Sequence, residues 1–263
     1  MSFIDVAGGR FSFEEAGRGP PVVLLHGFSF DSRLWDPQFE SLRRRHRVLR
    51  YDLRGFGASS VATGPYRHMD DLHSILQSLR IERPTLVGLS LGSNVALAYA
   101  LEHPDNVAAL VLASPGLPGH PWTVQRPPEA AAAYAAEHGV AAGKQFWLAH
   151  SIFSSLQSQP PVVAAVARMV NQYSGWHWTH ADMQLPGPDV RGRLGAVQPP
   201  VLVLSGEHDV AGYRQIAAVI AASVPHGQLV EIKGAGHVLN LEQPVEFNTR
   251  VSDFISGLEQ AGA

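Results

Sequence analysis

The chain has 263 residues, of which 45% are hydrophobic and 16% are charged, which suits one large domain or one domain with an insertion. The formal net charge of −3 gives no reason to expect a nucleic-acid partner. Cysteine is absent, which excludes disulfides, thiolate catalysis and cysteine-ligated zinc. The first residues lack the features of a signal peptide, and no stretch is apolar enough to span a bilayer. We therefore expect a cytoplasmic protein with no membrane partner.

Short apolar runs alternate with helical patterns over the first part of the chain. One of these runs, at residues 22–25, is continuously apolar, as in strands buried on both faces of a parallel sheet. The alternation predicts an α/β fold with a mostly parallel sheet flanked by helices. The candidate strands cover residues 3–6, 11–15, 22–25, 47–51, 85–87 and 108–113, and the candidate helices cover 34–42, 69–79 and 94–101.

The alternation is interrupted in the middle of the chain. Residues 117–197 show helices and loops only, and the sheet pattern resumes at residue 201. We therefore predict an α/β core formed by residues 1–116 and 198–263, with an inserted helical cap at 117–197. The helical patterns of the insertion cover 128–138, 146–152 and 162–170; after it come strands at 201–204 and 228–232 and helices at 213–222 and 245–258.

The stretch Gly88-Leu89-Ser90-Leu91-Gly92 has the form G-x-S-x-G and lies between an apolar run and an Ala- and Leu-rich helical run. A strand, a tight turn and a helix form the context in which this motif marks a nucleophile elbow. The turn strains the serine backbone, and glycine at positions 88 and 92 avoids clashes with the neighbouring helix and strand. We predict Ser90 as a catalytic nucleophile, at a helix start whose free N–H groups favour developing negative charge.

A serine nucleophile needs a general base, which we predict to be His237. In folds of this connectivity the chain order is serine, acid and then histidine. The chain has 13 histidines, so a single histidine carries little information by itself. His237 differs from the others because its glycine-flanked loop follows the last predicted strand, on the same rim of the sheet as Ser90.

The acid that orients this base is predicted to be Asp209. It lies in the loop after the strand at 201–204. Glu207 is the nearest competitor, but it stands earlier in the same loop. Such folds also place the acid after the strand at 108–113, where this chain has Ser-Pro-Gly and no carboxylate. That absence favours Asp209.

Acyl transfer also needs hydrogen-bond donors for the oxyanion. The first should be the backbone N–H of Leu91, which directly follows the serine. The second should come from the loop after the strand at 22–25. There the glycine of His26-Gly27 lets the chain approach the elbow, so we assign the backbone N–H of Phe28.

Two other stretches invite functional interpretations that their residues do not support. The glycine-rich loop at 52–57 lacks the lysine and the spacing of a phosphate-binding loop. We predict a structural turn there, pinned by Asp52 and Arg54. His177 and His180 flank a tryptophan, but no third ligand completes a metal site, so we expect no metal.

The insertion is rich in tryptophan, and aromatic side chains of this kind form either the core of a small helical layer or the wall of a pocket. We expect Trp147, Trp176 and Trp178 to form one wall of an apolar pocket above Ser90, which favours neutral aromatic or short-chain substrates. An anionic substrate is the alternative if an arginine in or beside the insertion faces the pocket. These arginines are Arg126, Arg168, Arg191 and Arg193.

With these motifs in place, the chain resembles the α/β-hydrolase superfamily with a helical cap. Residues 34–38 and 47–52 carry a narrower likeness to 3-oxoadipate enol-lactonases, related small esterases and cofactor-free haloperoxidase-like hydrolases. One departure is that Gly92 is followed by Ser93, where such lactonases often have a second glycine. Ser90 in place of an aspartate argues against haloalkane dehalogenases and epoxide hydrolases. The motifs behind the resemblance lie at 26–28, 35–36, 51–59, 88–92, 206–209 and 234–237.

The sequence therefore predicts a serine hydrolase that cleaves a small ester, thioester or lactone through an acyl-enzyme on a Ser-His-Asp triad. Its partner is a small-molecule acyl substrate, and no metal or organic cofactor is implied. One alternative is perhydrolysis, in which peroxide replaces water on the same acyl-enzyme. The other is a ligand receptor that keeps the triad but turns over little. The sequence leaves open whether the protein forms a homo-oligomer.

Overall fold

The computed structural model describes residues 2–6, 8–123, 125–181 and 183–261. The described residues form one eight-stranded sheet with the spatial order β1-β2-β4-β3-β5-β6-β7-β8, in which the numbers follow the chain. The strands are β1 (Ser2–Val6), β2 (Gly9–Ala16), β3 (Pro21–Leu25), β4 (Arg47–Tyr51), β5 (Thr85–Leu89), β6 (Ala109–Ala113), β7 (Val201–Gly206) and β8 (Gly227–Ile232).

The sheet is parallel from β4 to β8, and of the described strands only β2 runs against the others. β2 pairs antiparallel with both β1 and β4, whereas the other neighbours pair parallel. Strands β5, β6 and β7 are buried at every residue, which explains why they are mostly apolar. The predicted mostly parallel sheet flanked by helices is confirmed.

Helices of the core cover both faces of this sheet. A short 3₁₀ helix at Ser32–Trp35 precedes the first of them, and another lies at Pro104–Asn106. We find no helix in the described part of the chain with both the length and the apolar character needed to cross a bilayer. The core helices are α1 (Asp36–Leu42), α2 (His68–Ser78), α3 (Leu91–Glu102), α8 (Ala211–Ser223), α9 (Leu239–Glu242) and α10 (Pro244–Ala261).

The segment between β6 and β7 carries helices in its described residues, and β structure there is limited to one bridge between Tyr66 and Gln184. Its elements are α4 (Pro127–His138), α5 (Val140–Leu148), a 3₁₀ helix (Ser151–Ser158), α6 (Pro160–Gln172), α7 (Trp176–Thr179) and a 3₁₀ turn (Leu194–Ala196).

One helix of this segment differs from the prediction. The pattern at 146–152 is not one helix, because α5 begins at Val140 and ends at Leu148. Gly139, at φ 87°, ends α4 and lets the chain turn at once into α5. A Cβ at Gly143 would lie 2.5 Å from that of Ala135, so glycine there lets α4 and α5 pack at close range. The sequence pattern missed the helix start because alanine and glycine carry no amphipathic signal.

The loop after β4 is held by Asp52, as the prediction of a structural turn requires. Its Oδ1 accepts a hydrogen bond from the N–H of Ser32 at 2.8 Å, and its Oδ2 accepts one from the N–H of Ala58 at 2.9 Å. The carboxylate therefore ties the loops after β3 and β4 to each other.

A buried ion pair joins the same loop to α2. The guanidinium of Arg54 donates to Asp71 through Nε at 2.9 Å and through Nη2 at 2.6 Å. Both residues are almost fully buried. Burial raises the pKa of Asp71 even though the hydrogen bond from Arg54 lowers it, so the carboxylate lies where charge is costly.

We expect Asp71→Asn to lower the free energy of unfolding by about 3 to 5 kcal/mol, because the charge of Arg54 would stay buried without its carboxylate. Asp70→Asn is the matched control: the pair of Asp70 with Arg67 is partly exposed, so the change should be below about 1 kcal/mol. Urea unfolding followed by circular dichroism measures both variants. Equal losses would contradict the importance of the buried pair.

Candidate active site

Ser90 occupies a sharp turn between β5 and α3, with φ 52° and ψ −105°. This conformation is strained for a residue with a side chain. A Cβ at Gly88 would lie 2.4 Å from the carbonyl carbon of Gly92, and a Cβ at Gly92 would lie 2.0 Å from the carbonyl oxygen of Leu25. Both glycines are therefore required by close backbone approach, as the elbow motif predicts.

Ser93, the residue that departs from the lactonase pattern, stabilises this turn. Its buried hydroxyl donates to the carbonyl oxygen of Gly88 at 2.7 Å, and the carbonyl oxygen of Ala113 lies 3.3 Å from it. The N–H of Ser90 also donates to Ala113, at 3.0 Å. These bonds fix the elbow to the ends of β5 and β6.

The structure brings His237 and Asp209 together. The Nδ1 atom of His237 lies 3.0 Å from both carboxylate oxygens of Asp209, and both side chains are buried. Asp209 Oδ1 also accepts the N–H of Val210 at 2.7 Å, which fixes the carboxylate. With Nδ1 turned to the acid, Nε2 lies at the opposite side of the imidazole ring.

Glu207, the competing acid, has other partners. It accepts the N–H of Gly234 at 2.9 Å and pairs with Lys233 at 3.5 Å. The hydrogen bond from Gly234, together with the charge of Lys233, lowers the pKa of Glu207. Its carboxylate is thus used to hold the loop after β8, and Asp209 is the carboxylate on His237.

The loop that carries Phe28 is anchored by His26. Its Nδ1–H donates to the carbonyl oxygen of Gly27 at 2.8 Å, and its Nε2 accepts the N–H of Leu53 at 2.9 Å. These partners suit a neutral imidazole, and burial lowers the pKa of His26. The Phe28 ring packs edge-on against Phe56 at 5.5 Å, so the loop after β3 is supported along its length.

A cavity of about 240 Å³ opens beside Ser90. Phe28 and Leu91, the predicted oxyanion residues, border it together with the serine. The core contributes several of its described lining residues, and the insertion contributes the others. The lining consists of Phe28, Phe56, His68, Ser90, Leu91, Asn94, Gly116, Leu117, Trp122, Arg126, Pro128, Glu129, Ala132, His177, Trp178, Gln184 and Tyr213.

The three tryptophans expected at the pocket do not all line it in the structure. Trp178 lines the cavity, whereas Trp147 and Trp176 are absent from the described lining. Trp147 is buried beneath the cavity wall, where its Nε1–H donates to the hydroxyl of Ser29 at 2.7 Å. Trp176 packs in a small separate cluster with Tyr66. Both pack against residues of the core and not along the cavity.

Trp122 takes a place in the cavity wall that sequence reasoning left unassigned. Its ring packs edge-on against Tyr213 at 5.1 Å. A Cβ at Gly212 would lie 2.3 Å from this ring, so glycine at the start of α8 makes room for the tryptophan. A glycine within a helical pattern was the signal available in the sequence.

Tyr213 contacts His237 and lines the cavity beside Ser90, and no sequence motif pointed to it. Its ring lies 4.3 Å from that of His237, and the residue lines the same cavity as Ser90. Burial, followed by the charge of Asp209, raises the pKa of Tyr213 far enough to keep the phenol neutral near pH 7. The available signal was its position, four residues after the acid at the start of a helix.

The charged residues at the cavity form a pair. Arg126 and Glu129 both line it, and their side chains are 2.6 Å apart. Arg168, Arg191 and Arg193 are absent from the described lining. The described residues also contain no group of three histidine, aspartate or glutamate side chains placed to hold a metal ion.

Comparison with known proteins places this geometry in a family. Residues 20–244 match the family model described as the alpha/beta hydrolase fold. Carboxylesterase YbfK of Bacillus subtilis is 29% identical over 90% of this chain and 81% of that protein. The 3-oxoadipate enol-lactonase 2 of Acinetobacter baylyi is 26% identical over 94% of this chain and 92% of that protein. The crystal structure of the enol-lactonase from Burkholderia xenovorans LB400 superposes with a TM-score of 0.84 at 26% identity, covering 97% of this chain and all of that one. The chain belongs to the α/β-hydrolase fold family, and it is a hydrolase of that fold.

Proposed function

We propose that the protein is a serine hydrolase that cleaves small esters, thioesters or lactones through an acyl-enzyme. The observation that carries this proposal is the arrangement around one cavity. Ser90 lines it in the elbow, and Tyr213, in the same lining, packs its ring against His237, which pairs with Asp209. The carboxylesterase and enol-lactonase relatives support carbonyl substrates of this class.

In the proposed mechanism, the Ser90 hydroxyl attacks the substrate carbonyl and His237 Nε2 accepts its proton. Asp209 holds the imidazole with Nδ1 protonated and stabilises the imidazolium that forms. The backbone N–H groups of Leu91 and Phe28 donate to the oxyanion. The imidazolium returns the proton to the leaving group, and water then cleaves the acyl-enzyme by the same steps.

Tyr213 acts in this proposal as a positioning residue. Its ring packs against His237, and its phenol, in the same cavity as Ser90, would orient the serine hydroxyl before attack. In this proposal, substrate binding brings the Ser90 hydroxyl to His237. Such tightening on substrate binding is common, because catalytic hydrogen bonds are often long or poorly aligned without substrate.

We also propose that residues 117–197 act as a cap over the serine. Trp122 and Trp178 of this segment and Phe28 of the core line the same cavity. A substrate bound there would contact both parts of the chain, and the aromatic side chains would exclude water from its acyl group.

Ser90→Ala should abolish hydrolysis of p-nitrophenyl acetate and butyrate, because it removes the nucleophile, while the thermal unfolding midpoint stays close to that of the wild type. A fluorophosphonate probe should label the wild type and Ser93→Ala, but not Ser90→Ala. Labelling of Ser90→Ala at another serine, with activity retained, would defeat the proposal. A wild type without burst or turnover would favour the ligand receptor, and peracid formation from added peroxide would favour perhydrolysis.

Asp209→Asn should lower kcat by roughly 10⁴-fold with the fold intact, because the imidazole loses the carboxylate that fixes its tautomer. Glu207→Gln is the matched control, and it should have a much smaller effect because Glu207 contacts Lys233 and Gly234. Steady-state kinetics on p-nitrophenyl butyrate compare them. If Glu207→Gln proves the more damaging change, the acid is misassigned.

Tyr213→Phe keeps the ring on His237 and removes only the hydroxyl. We expect kcat to fall by about 2- to 10-fold, the equivalent of one hydrogen bond, with KM little changed. Fluorophosphonate labelling of Ser90 should slow by a similar factor. Tyr134→Phe, a half-exposed position on α4, is the control. Unchanged labelling in Tyr213→Phe would show that the hydroxyl does not position the serine.

A further inference from the structure

The loop that carries His237 is held on both sides of the histidine by one carboxylate. Oε2 of Glu242 accepts a hydrogen bond from the N–H of Gly236 at 2.8 Å, and Oε1 accepts one from the N–H of Val238 at 3.1 Å. Gly236 and Val238 directly precede and follow His237 in the chain. The two bonds therefore fix the backbone on either side of the imidazole side chain.

Glu242 occupies an unusual environment for a charged residue, since it is only 3% exposed. Burying a carboxylate removes its hydration, which is costly unless its oxygens receive hydrogen bonds from the protein. Both oxygens of Glu242 receive such a bond from the backbone of the histidine loop. The burial of this side chain and the position of the loop therefore depend on each other.

Capping of α9 accounts for only one of these bonds. Val238 directly precedes α9, and the N–H of Glu242 donates back to the carbonyl oxygen of Val238 at 3.0 Å. A glutamate that reaches back to the residue before its helix follows the logic of a capping box. The bond to Gly236 reaches further, to the other side of His237, and so holds a peptide group that lies outside the helix.

Two other segments confine the same loop at close range. A Cβ at Gly236 would lie 2.1 Å from Oγ of Ser155, which belongs to the insertion. A Cβ at Gly206, the last residue of β7, would lie 2.1 Å from the carbonyl oxygen of Gly236. The loop thus has little free space at Gly236, and its place is set by β7, the insertion and Glu242 together.

We propose that Glu242 is a positioning residue for His237. Its carboxylate holds the loop where Nδ1 of the imidazole meets both oxygens of Asp209 at 3.0 Å and Nε2 can serve the serine. This inference rests on the proposed hydrolase function, in which His237 is the base. Glu242 takes no part in proton transfer and acts only through the backbone, because a reacting group misplaced by about 1 Å can cost roughly 100-fold in rate.

Glu242→Gln tests this role with almost no change in size. The amide has one acceptor oxygen, so it can receive only one of the two N–H groups and turns an NH₂ donor toward the other. We expect kcat for p-nitrophenyl butyrate to fall by about 10- to 100-fold with KM little changed, because the imidazole moves and the cavity does not. Glu246→Gln, which removes a partly exposed carboxylate paired with Arg250, is the matched control and should keep the wild-type kcat.

Gln38→Met separates the position of the histidine from the stability of α9. Nε2 of Gln38 donates to the carbonyl oxygen of Asn240 at 3.0 Å, so this variant loosens α9 without removing a bond to residues 236–238. It should lower the thermal unfolding midpoint while kcat of the folded enzyme stays close to the wild-type value. A loss of kcat as large as that in Glu242→Gln would overturn the inference, because loosening of α9 would then explain both variants.

A double-mutant cycle with His237→Ala shows whether Glu242 acts through the imidazole. Glu242→Gln should lower kcat in the wild type but have almost no further effect in His237→Ala, where there is no imidazole to place. The residual turnover of triad variants, roughly 10³- to 10⁴-fold above the uncatalysed rate, makes the second comparison measurable. An equal loss in both backgrounds would overturn the inference.

If Glu242→Gln does not fold, Glu242→Asp takes its place, because a carboxylate one methylene shorter cannot hold both N–H groups but keeps the charge. Failure of both variants to fold would overturn the inference, since the carboxylate would then be required by the fold itself. A wild-type kcat in the folded variant would also overturn it and would leave the hydrolase function in place. If the wild type shows no turnover that Ser90→Ala removes, the proposed function fails and this inference fails with it.

Discussion

The site depends on how closely helix α3 approaches the end of strand β3. At Gly92 a single additional carbon would lie 2.0 Å from the carbonyl oxygen of Leu25, so the helix can start there only on glycine. With the strand before it and the helix after it both fixed, Ser90 is left in a backbone conformation that costs of the order of 1 to 3 kcal/mol. The hydrogen bonds of the Ser93 hydroxyl and of the Ser90 N–H offset part of that strain.

Parallel register brings the other parts of the site to the same edge. Leu25 lies beside Tyr51 on one side and Gly88 on the other, so the loops after β3, β4 and β5 leave the sheet in line. His26 joins the first two loops through Leu53, and the loops after β7 and β8 meet through the hydrogen bond from the N–H of His208 to the carbonyl oxygen of Ala235. The sheet therefore fixes the order of the loops that carry Ser90, Asp209 and His237, and short polar contacts tie neighbouring loops together.

Sequence alone could predict the parts of this site that depend on local geometry. Gly88 and Gly92 are readable because any chain that makes this turn needs them, and the assignment of Asp209 and His237 follows from loops at strand ends. The cavity wall could not be predicted in the same way. Whether Trp147 or Trp122 faces the cavity depends on how the insertion packs on the core, and no periodicity in either segment records that packing.

Asn94 belongs between these two cases. Its position, four residues after Ser90 in a helix, places it on the same face as the nucleophile, so the sequence contained the signal. Its place in the cavity wall also depends on Gly116, distant in sequence, which leaves room for its amide. Residues whose role depends on two separate segments are the ones that a linear pattern misses.

Helix α8 contacts both the His237 side chain and the cavity wall. Its first turn follows Asp209 directly and carries Tyr213, and the same turn receives Trp122 over Gly212. The ring that packs against the imidazole and one wall of the cavity therefore belong to a single helix. Repacking the buried side of α8 would therefore shift the ring on His237 and the cavity wall together.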